Sequence, residues 1–254
     1  VASAGSVIVL RSFGGGRGGG RGGGREQRQL DRAAIEEICV LTGDAGADAR
    51  SAGIDTAALV ARYATPYLDL EPDFAVVAEF GESAAPGDPD DARPASVRPR
   101  VVGYAIGAPD SRTFAHRFAE LAGETAAATA TASADTAPGR PTPRATRPPP
   151  TAPGGHPGAL TPTQRRGHAE SLLIPEVDEF PSHLHVDLLP PAQGRGVGRR
   201  LVDELLARFA AAGSPGVHLG VDPSNAGAQA FYARVGFREL RRDDHVVLFG
   251  RTLT

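Results

Sequence analysis

His183-Leu184-His185-Val186-Asp187-Leu188-Leu189-Pro190-Pro191-Ala192-Gln193-Gly194-Arg195-Gly196-Val197-Gly198-Arg199-Arg200-Leu201-Val202-Asp203 decides how the rest of the chain is read. Alternating apolar residues over 183–189 predict a strand. Leu201, Val202, Leu205, Leu206 and Phe209 fall on one face of a following helix. The Gly/Arg turn between them aims several backbone N–H groups and the positive end of that helix at one point, which suits a phosphate.

Three Gly-rich schemes compete for the turn. A P-loop needs Gly-Lys followed by Ser or Thr, and the chain contains no lysine. A dinucleotide fold needs G-x-G-x-x-G directly after the strand and an acidic residue at the end of the next one. Asp222 stands at such a place, but Pro190-Pro191-Ala192-Gln193 precede the first glycine, the spacing is G-x-G-x-G, and no further βα units follow. Gln193-Gly194-Arg195-Gly196-Val197-Gly198 instead reads Q-x-x-G-x-G, which resembles the pyrophosphate loop of the GNAT acyltransferases. Downstream, Asn225, Ala228, Phe231-Tyr232 and Gly236-Phe237 are similar to that family's N-x-x-A-x-x-F-Y-x-x-x-G-F.

The resemblance implies a GNAT fold of the α/β class, with a central mixed, mostly antiparallel sheet flanked by helices. A splayed strand pair would form the coenzyme cleft, where 183–189 and 217–221 diverge. It implies acetyl transfer from acetyl-coenzyme A to a primary amine by direct attack, with no metal. Leu188, Leu189, Gln193, Gly194, Arg195, Gly196, Val197, Gly198, Arg199 and Asn225 are the expected coenzyme-binding residues, with Arg200 adding charge. Leu188-Leu189 would pair with the pantetheine arm and offer an N–H to the thioester carbonyl. Tyr232 matches the family tyrosine that protonates the departing thiolate. His183, His185 and Asp187 alternate on one strand face, and Asp187 is favoured over either histidine as general base. A one-residue bulge in this strand would exchange the faces.

The runs Leu41-Thr42-Gly43-Asp44, Val102-Gly103-Tyr104-Ala105-Ile106-Gly107, Pro181-Ser182-His183-Leu184-His185-Val186-Asp187 and Gly216-Val217-His218-Leu219-Gly220-Val221-Asp222-Pro223 look like bacterial stand-alone relatives of the C-terminal acetyltransferase-like domain of O-GlcNAcase. This closer resemblance again implies Asp187 and Tyr232, and adds Asp44 to the acceptor pocket. The animal domain is regarded as a pseudo-acetyltransferase that lost its coenzyme loop, so a non-catalytic binding module is the alternative. The intact loop here favours coenzyme binding.

Residues 14–25 read GGGRGGGRGGGR, expected as a disordered Arg/Gly arm within 1–27, with 7–13 as the candidate first strand. A single domain over 28–254 follows, interrupted by an Ala/Thr/Pro-rich insertion at about 123–160. Helices are expected from Arg28 to Gly43, over Thr56–Tyr63 and Ser111–Leu121, and near Thr163–Leu173. Strands are expected at Phe74–Phe80, Arg100–Ile106, Val217–Val221, Phe237–Arg241 and Val246–Arg251. This order, with hairpins at both ends, predicts a mixed sheet.

The net charge of −3 gives no global case for nucleic acid or anionic membranes, and the Arg/Gly arm lacks aromatic interleaving. Cys39 is the sole cysteine, which excludes a disulfide framework and a multi-cysteine metal site; its place among apolar positions marks a core thiol. No run reaches the ~18–20 apolar residues of a membrane span. A cytoplasmic protein is expected.

Overall fold

The apolar alternations build one seven-stranded sheet. The computed structural model describes residues 6–15, 23–82, 100–131 and 160–253. Its first half runs β1 (Ser6–Ser12), α1 (Gly23–Thr42), α2 (Thr56–Tyr63), α3 (Thr65–Leu70), β2 (Ala75–Glu82), β3 (Arg100–Ala108) and α4 (Ser111–Thr131). The second half runs α5 (Pro162–Ser171), β4 (Ser182–Leu188), α6 (Val197–Ala211), β5 (Gly216–Val221), α7 (Ala226–Arg234), β6 (Arg238–Arg242) and β7 (Val247–Thr252).

Three elements depart from the sequence expectation. α1 begins at Gly23, within the tail of the Arg/Gly tract. α4 runs past Leu121 to Thr131, because the Ala-rich start of the insertion has high helix propensity. Thr65-Pro66-Tyr67, which in sequence reads as a break after the 56–63 helix, is itself the start of a short helix, with Pro66 in the first turn, where its missing N–H costs nothing. Residues 16–22 of the arm and 132–159 of the insertion lie outside the described residues.

The strand order is β1-β2-β3-β4-β5-β7-β6. Every neighbouring pair is antiparallel except β4–β5, which is parallel and pairs only at Ser182↔Val217 and His183↔His218. Beyond those residues each strand keeps its outer partner. β4 stays with β3 as far as Gly103↔Leu188, and β5 with β7 as far as Val221↔Val247.

Alternation divides the core into two layers. Val77, Tyr104 and Ile106 pack with Ile35, Ile38, Tyr67, Phe114 and Phe118 from α1, α3 and α4. Val76, Ala105 and Leu184 pack with Leu201, Leu205 and Phe209 of α6, and with Tyr232 and Phe249. Arg11 fastens β1 by binding both buried carboxylates beside it. Its guanidinium lies 2.5 Å from Asp31 Oδ2 and 2.5 Å from Glu79 Oε1, and the Gly14 N–H also donates to Asp31 at 2.8 Å.

Candidate active site

The gap between β4 and β5 opens into a cleft of about 900 Å³. Its walls are Leu184–Leu188 of β4, Gly220–Asp222 at the end of β5, 192–194 and 196–199 of the turn and the start of α6, and Phe231 and Tyr232 of α7. The Leu189 N–H donates to Val102 O at 2.9 Å, so odd-numbered residues of β4 turn their main chain toward β3. In an antiparallel ladder the direction alternates, leaving the main chain of Val186 and Leu188 facing the gap. The Leu188 carbonyl accepts from Gln193 Nε2 at 3.0 Å. Leu189 therefore does not share the cleft: its amide belongs to the sheet and its side chain is buried in the α1 layer.

The turn after β4 needs its glycines for two different reasons. Gly194 and Gly196 have φ of 70° and 73°, in the left-handed region, while a Cβ at either would meet nothing within 4 Å. At Gly198 the limit is space, because a Cβ would come within 3.0 Å of Leu188 Cδ1 and 3.2 Å of Phe231 Cζ. Gly196 caps α6 without a side chain, so the first-turn N–H groups of a helix of 15 residues face the cleft uncovered.

The arginines divide. Arg199 lines the cleft. Arg195 stands outside the cleft lining, its guanidinium over the Phe80 ring, 5.8 Å from the centroid. Arg200 donates to Ile8 O at 3.1 Å, holding α6 to β1. Asn225 accepts from Ala228 N at 2.9 Å and so caps α7 while bordering the cleft.

Tyr232 and Asp187 both reach this space. The Tyr232 ring packs against Phe231, Phe237 and Phe249, and its hydroxyl has no hydrogen-bond partner among the described residues. Burial first, and the Asp187 charge second, raise its pKa, so it stays protonated. The β3–β4 register runs without a shift, so His183, His185 and Asp187 do share the α1-side face. Asp187 pairs with Tyr104 across the strands and accepts the Tyr104 hydroxyl proton at 2.5 Å. Burial raises the Asp187 pKa, and hydrogen bonds from Tyr104 and Thr42 partly oppose the rise.

The two histidines are joined by Tyr67, whose hydroxyl lies 2.9 Å from His183 Nε2 and 3.0 Å from His185 Nε2. Burial lowers both pKa values, that of His185 to about 4. Sequence reasoning missed Tyr67 and Tyr104, the two hydroxyls that bind this strand face. Tyr104 was legible in principle, since pairing the two predicted strands sets it opposite Asp187. Tyr67 carried no signal, because its role arises only from the packing of α3 on the sheet.

Asp44 is exposed on the loop after α1, and its neighbours Ala45, Gly46 and Ala47 line the cleft in its place. Cys39 is buried, and burial raises its thiol to about 12, which keeps it an inert core group. Among the described residues no group of three or more His, Cys, Asp or Glu could hold a metal, and no helix is long and apolar enough to cross a membrane.

Residues 160–237 match the Acetyltransferase (GNAT) family. The α/β architecture, an open seven-stranded and mostly antiparallel mixed sheet flanked by helices, is the GNAT fold. Among solved structures the chain is similar to SsHAT at 29% identity and TM-score 0.66, covering 97% of this chain and 98% of that one. PH1933 from Pyrococcus horikoshii OT3 is 12% identical over 98% of this chain and 99% of its own, with TM-score 0.47. YncA from Salmonella typhimurium, solved with its cofactor acetyl-CoA, is 14% identical over 98% and 95%, with TM-score 0.41.

Proposed function

We propose that the cleft binds acetyl-coenzyme A and that the protein transfers its acetyl group to a primary amine by direct attack. The observation that carries this reading is the parallel β4–β5 pair, which parts after His183 and ends on the Gly194–Gly198 turn. The parted edge and the uncapped start of α6 fit the coenzyme's two chemical halves. The edge presents main-chain groups that an amide-bearing pantetheine arm can pair with, and the helix start presents N–H groups to a diphosphate. The coenzyme supplies a thioester, whose carbonyl carbon is open to an amine.

This chain's residues supply the rest. Arg199 adds positive charge beside the diphosphate, and Arg195 lies just outside, on Phe80. Val186 and Leu188 offer N–H groups that stabilise negative charge building on the thioester oxygen. Tyr232 holds a proton that it can give to the leaving sulfur. Asp187 takes the proton of the incoming amine or orients it, and burial makes its carboxylate a stronger base than an exposed one. Environment thus pushes the two groups into acid and base roles.

In this reading the chain is one catalytic domain of the cytoplasm, with the Arg/Gly tract and the insertion as appendages. Its kin are the bacterial relatives of the O-GlcNAcase C-terminal domain. Calorimetric titration with acetyl-coenzyme A, followed by thiol-release assays over a panel of amines, tests the reading. Binding with release supports it, and no binding ends it. Binding without release on any amine makes the protein a coenzyme-binding module.

A further inference from the structure

The hydrogen bonds behind β4 have a direction. Ser111 Oγ lies 2.7 Å from Pro181 O and 2.7 Å from His183 Nδ1. A carbonyl oxygen only accepts, so the one hydroxyl proton goes to Pro181, and His183 Nδ1 must donate to Ser111. His183 Nε2 is then a lone pair and receives the Tyr67 hydroxyl proton. With that proton committed, His185 Nε2 must be the N–H that donates to Tyr67. His185 Nδ1 is left as a bare lone pair, with no partner among the described residues, on a side chain that lines the cleft.

We propose that Ser111, His183 and Tyr67 form a tautomer lock, and that the locked His185 uses Nδ1 to accept a hydrogen bond from the incoming amine and aim it at the thioester. The proposal rests on the acyl-transfer reading and adds an acceptor-binding residue to it. Ser111, His183 and Tyr67 are positioning residues, because they act only through His185.

The chemistry divides between neighbours on one strand face. The amine nitrogen, with one N–H held by His185, attacks the carbonyl carbon. A C–N bond forms and the C–S bond breaks. Tyr232 gives its proton to the sulfur, and the proton shed by nitrogen goes to Asp187. Exchange with solvent then returns a proton to Tyr232 and removes one from Asp187. His185 keeps its protons throughout, which suits an imidazole that burial holds neutral. Two acceptors on one strand face, His185 Nδ1 and the Asp187 carboxylate, select a nucleophile rich in N–H donors.

Nitrogen NMR of protein carrying ¹⁵N-histidine tests the lock in the free protein, with the His185 signals assigned by their loss in His185→Gln. The expected result is one His185 tautomer, protonated at Nε2. A proton on Nδ1, or an even mixture, overturns the proposal. Ser111→Ala should release the chain and move His185 toward the other tautomer, and Tyr67→Phe should do so more completely. Tyr67 and Ser111 are both wholly buried, but they sit on different helices and each variant removes one hydroxyl, so Ser111→Ala stands as the independent variant. An unchanged single tautomer in Ser111→Ala overturns the lock. In the complex with coenzyme A, which cannot react, methylamine should shift His185 Nδ1 and leave His183 still; no shift at His185 overturns the substrate contact. Loss of coenzyme binding would instead sink the acyl-transfer reading while leaving the tautomer measurable.

Discussion

Replacing Tyr232 with phenylalanine separates a chemical role from a packing role, because the structure splits the side chain into two parts. The ring makes three aromatic contacts, with centroids 5.1 Å from Phe231, 5.5 Å from Phe237 and 6.3 Å from Phe249, and all three survive in the variant. The hydroxyl has no partner among the described residues, so its removal breaks no hydrogen bond and opens no core cavity. Stability should change by no more than about 0.5 kcal/mol, which moves Tm by about 2 °C or less in a chain of this size. Coenzyme affinity should hold. A general acid typically contributes about 10²- to 10⁴-fold, so kcat should fall by that factor, roughly 3–5 kcal/mol of transition-state stabilisation. Thiol release gives kcat, differential scanning fluorimetry gives Tm, and calorimetry gives Kd for acetyl-coenzyme A. A Tm lowered by many degrees together with lost affinity would make the tyrosine structural. An unchanged kcat in a stable variant would refute the proton-donor role.

Gly196→Ala forces a left-handed φ of 73° on a residue with a Cβ but meets no obstruction, so it should cost about 1–2 kcal/mol of strain, read as a lowered Tm, and weaken acetyl-coenzyme A in calorimetry. Gly107→Ala should be far worse, since its Cβ would stand 2.3 Å from His183 O and 2.7 Å from Phe209 Cζ; soluble expression and near-ultraviolet circular dichroism would report the disrupted fold. Arg11→Met leaves Asp31 and Glu79 buried without their cation, and urea unfolding should show a loss of about 3–5 kcal/mol. Acid should destabilise the protein through its histidines. Burial lowers His168 to about 3 and His185 to about 4, below the unfolded value near 6.5. The unfolded state then binds more protons in the window between, so their stabilisation is complete above about pH 6.5 and is lost as pH falls toward 4 and then 3. Tm measured across that range should fall with acid, and less steeply in His185→Gln.

Residues whose roles depend on local spacing are legible in the sequence itself. The alternation of His183–Leu189, the glycines of the turn and the helical face of Leu201–Phe209 each rest on a short-range rule. Together they place β4, the turn and α6, while Val217–Val221 marks β5. What escapes is long-range. Leu189 looks equivalent to Leu188 in sequence, yet alternation in the ladder commits its amide to Val102. Arg195 looks equivalent to Arg199, yet Phe80 lies under it because β2 passes nearby. Tyr67 acquires its two histidine partners from α3, a helix that the Pro66 signal disguises as a break.

A sheet ordinarily has two rims; this one has four, since β4 and β5 face each other as rims in its interior. Recognition at an interior rim is written in peptide groups, which every residue carries in identical form. The side chains of Val186 and Leu188 meanwhile face the α6 layer and answer to packing there. In the proposed reading, ligand pairing and core packing fall to different atoms of the same residues, so either can change without rewriting the other. Gln193 already fills one position on the rim through its bond to the Leu188 carbonyl. A ligand that extends the pairing that far must displace a side chain of the protein itself, and its affinity is measured against that internal rival.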